Sequence, residues 1–497
     1  MNVRCFLALS LCIPLAHAAP VSDGAPGLAE LTGITGSLAP NDLAEPGSFA
    51  SAVADFNDAD SNSDLALRVF PISGGGYWLT GRHAGNTSIL PPYPTLTVAK
   101  YRADGSFDTS YNGTGKKSFD TPMSFIVDVA RGAGDTLYAL GSYTAPGFTD
   151  SDFGVYCVDA DGDPCAGFGS NGFVSVALDL GAGAARHGDY PSRITYAFSS
   201  LYLAGSSDTG SGTTSNLAIA VVKMSSTSGS VDGGFGDDIN HPGVFHYNLD
   251  FLANGNDSIA DLIAYAPAPF QVKLVMVGAT QRAQLAGEDT DGFIGAIDGL
   301  SGQIDPLFSG TGFQAVAVDL GGDHKDGLDR VIRRANGGFV AAGRAKDSNA
   351  SPAHYELVLA AFRADGSTDT SFANSGLYHD LVVSGTNRPF GLAERAQNRD
   401  LVVGINILDD LFGDSHPLQA VVQFGSSARV RHALAFQDFA GTPKNSTGED
   451  LVLDNNVVAT AGYRRWDQSI GDYDMTIVRY VATDSIFADR FGGSSSD

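Results

Sequence analysis

Positive charge is scarce in this 497-residue chain: 30 lysines and arginines stand against 56 aspartates and glutamates, a formal net charge of −26. A surface of that sign repels phosphate backbones and anionic lipid, so nucleic acid is excluded as a partner. Long apolar runs are missing as well. After the first residues, no stretch offers the roughly 20 apolar residues a membrane-crossing helix needs, and no transmembrane segment is expected. Alanine, leucine, glutamate and lysine never run together at helical spacing, which argues against a helical protein. Catalytic signatures are thin too: HExxH, the Walker glycine loop, GxSxG and CxxC are all absent. The histidines, including His83, His187, His241, His246, His324 and His354, stand at no recognisable metal-ligand spacing.

What is present begins with a secretory leader. Arg4 supplies its positive end, Phe6 to Leu15 its apolar segment, and Ala16-His17-Ala18 a small-x-small cleavage site. Residues 1–18 are read as a signal peptide and 19–46 as a loose arm, followed by one domain over 47–497. Cys5 and Cys12 leave with the leader. Cys157 and Cys165 remain, an even pair in an oxidising compartment. For an exported chain the acidity itself is ordinary solubility.

Glycine is abundant, 61 residues in all, and it is placed regularly. A short apolar strand ends in Gly81, Gly141, Gly205, Gly278, Gly343, Gly404 and Gly462, one about every 60 residues. Each unit adds an apolar strand before this one and two after it. The last two are joined by a tight turn such as Ala103-Asp104-Gly105-Ser106 or Ala364-Asp365-Gly366-Ser367. Four short β-branched and aromatic runs per unit make an antiparallel meander. One such sheet buries little alone, and packing the units around an axis buries both faces. The expected fold is all-β, a seven-bladed β-propeller of four-stranded blades. Its last unit lacks an outer strand. The run from Ser48 to Phe56 reads like the outer strands Gly172–Leu180 and Gly312–Leu320, so it is expected to supply that strand as an N-terminal latch.

The stretches VAKYRADGSFDTSYNGTG and AAFRADGSTDTSFANSG resemble the delta-60 repeat of bacterial exported proteins, as more loosely does IDGLSGQIDPLFSGTG from Ile297. The resemblance covers most of the chain from about Leu65. It implies a propeller-like repeat and an exported setting, and it implies no activity. Aligning the units lays Cys157 on Lys100 and Cys165 on Asp108, positions that are typically Arg and Asp in the family stretch. Replacing both members of a facing pair with cysteine implies a Cys157–Cys165 disulfide.

Candidate sites are of three kinds. The loops between the second and third strands share a face with the blade crossovers and vary most. They carry Tyr93, Phe148, Asp152, Asp291, Tyr355, Phe412, Trp466 and Tyr473, aromatics amid carboxylates suited to gripping a sugar. Each aspartate taken singly reads first as a turn residue before the third strand, and the binding reading belongs to the face as a whole. The first strands place Arg68, Asp128, Asp261, Arg330 and Asp450 around an axial channel, as an ion site or as salt bridges that fix blade packing. Asp58, Asp60, Asn62 and Asp64 have the alternation of a half calcium loop, but Ser63 and Val69 occupy the glycine and glutamate positions, so a polar linker is the preferred reading and calcium the lesser one. Gly413-Asp414-Ser415-His416 is read as loop chemistry. The main expectation is an exported, monomeric, non-catalytic binding protein for a glycan or envelope ligand, needing no cofactor, with calcium as an option. A propeller enzyme of lyase or lactonase type, using channel carboxylates and a metal, is the alternative. A scaffold for protein partners is the third reading.

Overall fold

A computed structural model describes residues 51–56, 63–83, 95–147, 150–181, 188–210, 216–236, 238–249, 255–282, 289–321, 323–347, 354–382, 385–408, 417–428, 431–436, 446–454, 457–465 and 473–481. The expected leader, the arm, Tyr93, Phe148, Phe412, Trp466, Asp58, Asp60 and Asn62 lie outside these residues.

The described chain is all-β, built as antiparallel sheets of four strands in sequence order. Two successive units, Asp326–Asp380 and Thr386–Phe436, are joined into an eight-stranded sheet by the single parallel pair Tyr355–Thr386. The first strands are Asp64–Pro71, Phe125–Arg131, Asp189–Ala197, Asp257–Tyr265, Asp326–Arg333, Thr386–Glu394 and Ser446–Asp454. Each packs on the next, and Ser446–Asp454 returns to pack on Asp64–Pro71. Apolar layers fill the spaces between neighbouring sheets.

The repeated glycine has a steric cause. Every first strand carries a β-bulge opposite it, as between Ala66 and Arg68 or Ile259 and Asp261. The bulge drives a first-strand carbonyl into the second strand. A Cβ on Gly81 would sit 2.3 Å from the Leu65 oxygen, and one on Gly278 would sit 1.8 Å from the Ser258 oxygen. Only glycine fits there.

The duplicated turn is equally specific. Asp104 Oδ1 accepts the Ser106 N–H at 2.9 Å and its hydroxyl at 2.6 Å, and Asp365 holds Ser367 at 3.0 and 2.6 Å. Gly105 and Gly366 take positive φ, 82° and 79°. The aromatic that follows, Tyr111, Phe168, Phe235, Phe308 or Phe372, is buried between sheets.

Ser51–Ala54 pairs antiparallel with Met475–Val478 as the outer strand of the last sheet. Two residues after that strand, the Phe56 N–H reaches Asp64 at 2.8 Å. Leu178, Leu249 and Val318 make the same bond to Asp189, Asp257 and Asp326 after their own outer strands. The N-terminal segment therefore has the chemistry of an outer strand as well as its place.

Cys157 and Cys165 are disulfide-bonded. In the first unit the aligned Lys100 Nζ lies 3.4 Å from Asp108, and in the third Lys223 lies 2.8 Å from Asp232. The bond thus replaces an ion pair that spans the same hairpin.

Candidate functional site

The bulge also aims the next residue at the axis. In sequence order these residues are Arg68, Asp128, Arg193, Asp261, Arg330, Gly391 and Asp450, an alternation of charge broken once by glycine. The sequence reading found all the charged members except Arg193. Arg68 donates to Asp128 at 2.6 Å and to Asp450 at 2.9 Å, and Arg193 donates to Asp261 at 2.7 Å. Each carboxylate also ties itself to the neighbouring sheet through a backbone N–H. Ile194 donates to Asp128, Val331 to Asp261 and Val69 to Asp450, at 2.9, 2.9 and 3.1 Å.

Burial alone would lower the Arg68 pKa, but Asp128 and Asp450 more than offset it and the value is raised. Burial likewise opposes ionisation of Asp261, which Arg193, Arg330 and Arg68 nevertheless hold below the usual carboxylate range. Arg330, beside the Gly391 gap, has no ion-pair partner among the described residues and donates instead to the carbonyls of Phe390, Asp329 and Glu449. Burial and the charge of Arg193 lower it to about 10. The ring ties one sheet to the next, with one Arg193 guanidinium nitrogen buried without a hydrogen-bond partner among the described residues. Its carboxylates have arginine where a channel metal would need them free.

The loop face presents a different arrangement. Asp152, Asp291, Tyr355 and Tyr473 each begin the third strand of a different sheet, or lie one residue into it. They share one face, one per sheet, rather than meeting in one cluster. What does meet is carboxylates at junctions between sheets. At one junction the Asp55, Asp64 and Asp474 carboxylates converge, and at another those of Asp289, Asp291 and Asp319. Asp64 is almost fully buried, with Oδ1 on His83 Nδ1 at 2.7 Å and Oδ2 on the Phe56 N–H. It is placed as a junction residue rather than in an open loop.

The junction of Asp152 and Asp189 stands apart from these. Asp189 is fully buried; Ser207 donates to its Oδ1 at 2.6 Å and the Leu178 N–H to its Oδ2 at 2.7 Å. Desolvation, partly offset by these bonds and then reinforced by Asp152 and Asp179, raises it to about 7. Asp152 is only partly buried. Desolvation and the charges of Asp150 and Asp179 raise it to about 6. Asp291 has Arg282 at 2.9 Å and Asp474 has Arg464 at 3.9 Å. Among the described residues, no cation stands within ion-pair distance of Asp152. Asp326 closes the equivalent junction beyond Asp291 and is also raised to about 7 by desolvation and the neighbouring acids. The residue across from it is Ala345, where Asp189 has Ser207. Its Oδ1 is buried without a hydrogen-bond partner.

On the turn-bearing face, a cavity of about 350 Å³ is lined by Arg334, Asp369, Glu394 and Arg399 among others. Arg334 and Glu394 are paired at 2.8 Å. Nothing in the sequence marked this cavity, because its residues come from two units at turn positions.

No family model matches the chain, and no curated protein matches it in sequence. Several solved structures are similar in fold. The α-L-arabinofuranosidase Arb93A of Fusarium graminearum is 11% identical, with 88% of this chain and 99% of that chain covered and a TM-score of 0.44. The polysaccharide lyase Uly1 is 12% identical over 90% of this chain and 95% of its own, with a TM-score of 0.47. The α-L-arabinanase of Penicillium chrysogenum is 10% identical over 72% and 94%, with a TM-score of 0.37. At these identities the likeness is one of fold. The expectation of a non-catalytic binding protein is corrected at this point. The similar structures include enzymes that act on glycans, which stands against that expectation; the enzyme alternative is taken up below, without the channel carboxylates it assumed.

Proposed function

We propose that the chain is an exported propeller enzyme that cleaves a glycan on its loop face, with Asp152 as the proton-transferring group. The eight-stranded sheet counts as two blades, giving seven in all, and the repeat belongs with the delta-60 type. The observation that carries the reading is the Asp152–Asp189 junction. General acid–base work at neutral pH needs a carboxyl that keeps its proton well above the ordinary range and remains reachable. Asp152 meets both conditions: burial and neighbouring acids raise it to about 6, and it is only partly buried. Asp189, at the same junction, is closed off from solvent and so cannot take that role itself. In hydrolysis water adds to the anomeric carbon as the C–O bond breaks, and in elimination a neighbouring C–H proton is lost to a base as the C=C bond forms and the C–O bond breaks; in both, protonated Asp152 gives its proton to the departing oxygen. The strand-start aromatics Tyr355 and Tyr473 offer stacking surface for sugar rings.

The test is a panel of soluble polysaccharides incubated with the disulfide-intact protein. New reducing ends report hydrolysis, and ultraviolet absorbance of unsaturated sugars reports elimination. Activity on at least one acidic or neutral polymer is expected, and Asp152→Asn is expected to reduce it at least about 100-fold. Activity that Asp152→Asn leaves intact overturns the assignment, and silence across the panel overturns the enzymatic reading itself.

A further inference from the structure

The third unit departs from its neighbours at one point. Between the buried aromatic of the turn and the outer strand, the other turns have four residues, as in 169–172, 309–312 and 373–376. The third has eight, Gly236 to Gly243. The longer segment contributes Asp238 and His241. The outer strand Val244–Tyr247 contributes His246, at a position held by Ser175 and Ala315 in the neighbouring sheets. The three side chains converge: Asp238 Oδ2 lies 2.6 Å from His241 Nδ1 and 3.1 Å from His246 Nε2. This corrects the sequence reading of scattered histidines, because a turn and a strand bring together residues whose spacing showed no motif.

The cluster is held in place. Asp238 Oδ1 accepts the Asn240 N–H at 2.8 Å, which turns Oδ2 towards the rings. The His241 N–H bonds the Asp238 carbonyl at 3.1 Å, closing the turn. His246 is fixed by the pairing of its strand with Leu217–Ser225. All three side chains are partly exposed, so an ion can reach them from solvent. We infer that Asp238, His241 and His246 form a binding site for a zinc-class divalent metal ion. Two imidazole nitrogens and one carboxylate oxygen are the donor set of a tetrahedral zinc site with one position left to water. The donors of such an ion are separated by roughly 3.3 Å, so the present hydrogen bonds open only slightly to admit it. The metal clamps the inserted turn to the outer strand. It lies on the turn-bearing face, away from Asp152, and is independent of the glycan reading.

Untagged, chelator-treated, disulfide-intact protein titrated with zinc by calorimetry tests the site. One equivalent is expected to bind, with cobalt(II) giving the visible bands of a tetrahedral ion and magnesium giving no heat. His246→Ala and Asp238→Asn are each expected to weaken zinc at least about 100-fold, whereas His354→Ala leaves it unchanged. Retained folding is checked by circular dichroism, and zinc is expected to slow amide exchange across residues 238–244 of the wild type. Failure to bind a stoichiometric equivalent overturns the inference, as does undiminished binding by both folded variants. Asp152→Asn binds zinc as the wild type does, so the two readings fail separately.

Discussion

Replacing Asp189 by asparagine isolates the titration of one buried carboxyl. In the folded chain Asp189 titrates at about 7 against an ordinary value of 3.8. Below about pH 4 both states are protonated and the group is neutral in its effect. As pH rises from there the unfolded chain releases the proton while the folded one keeps it, so stability falls by about 1.4 kcal/mol per unit until the folded group also ionises. The full loss by pH 8 is about 4 kcal/mol. Asparagine keeps the local bonds: its carbonyl accepts the Leu178 N–H, and its amide donates to the Ser207 hydroxyl. The variant is therefore expected to match the wild type near pH 4 and to exceed it by several kcal/mol at pH 8. Urea unfolding of both proteins at pH 4, 5, 6, 7 and 8 measures the difference. Taking the difference cancels Asp326, a raised carboxyl at another junction that slopes the same way. A gap between the two curves that does not widen with pH refutes the assignment, and so does an Asp189→Asn protein weaker than wild type at pH 8.

Two further substitutions probe the ring and the unsatisfied junction. Asp128→Ala leaves Arg68 with Asp450 alone and Arg193 with Asp261 alone, and leaves the Ile194 N–H without its acceptor; a loss of about 3 kcal/mol is expected by denaturation. A loss below about 1 kcal/mol means that the ring does not tie the sheets together. Ala345→Ser places a hydroxyl opposite Asp326, as Ser207 stands opposite Asp189. It is expected to lower the Asp326 pKa, followed by carbon-detected NMR, and to add about 1 kcal/mol of stability at pH 8. An unmoved titration shows that Oδ1 does not face that position.

The repeat was legible because its cause is local. A bulge brings a carbonyl within about 2 Å of where a Cβ would stand in six of the units, as at Gly81 and Gly278, and at Gly404 the Phe390 ring takes that space, so the sequence spells glycine there each time. The turn aspartates and their serines are similarly self-contained, and the latch strand carries the same residues as other outer strands because it makes the same bonds. The Lys100–Asp108 pair explains why two cysteines at those positions meet.

What the sequence hid is whatever lies between units. Arg193 escaped notice because its place is set by a bulge, which shifts the count by one and is not written as a residue type. Asp152 and Asp189 are 37 positions apart, and each reads alone as a strand-opening aspartate. Their significance is the shared desolvation that lifts both titrations, and that exists only once two sheets are pressed together. The same holds for His241 and His246, one on an inserted turn and one on a strand whose register points it back at Asp238. In a repeat architecture the units can be read from the chain, because each is built by contacts within about 60 residues. Chemistry gathers at the joints and at the departures from the repeat. A site is therefore better sought where one unit differs from its neighbours, by an insertion or a missing hydroxyl, than where all of them agree.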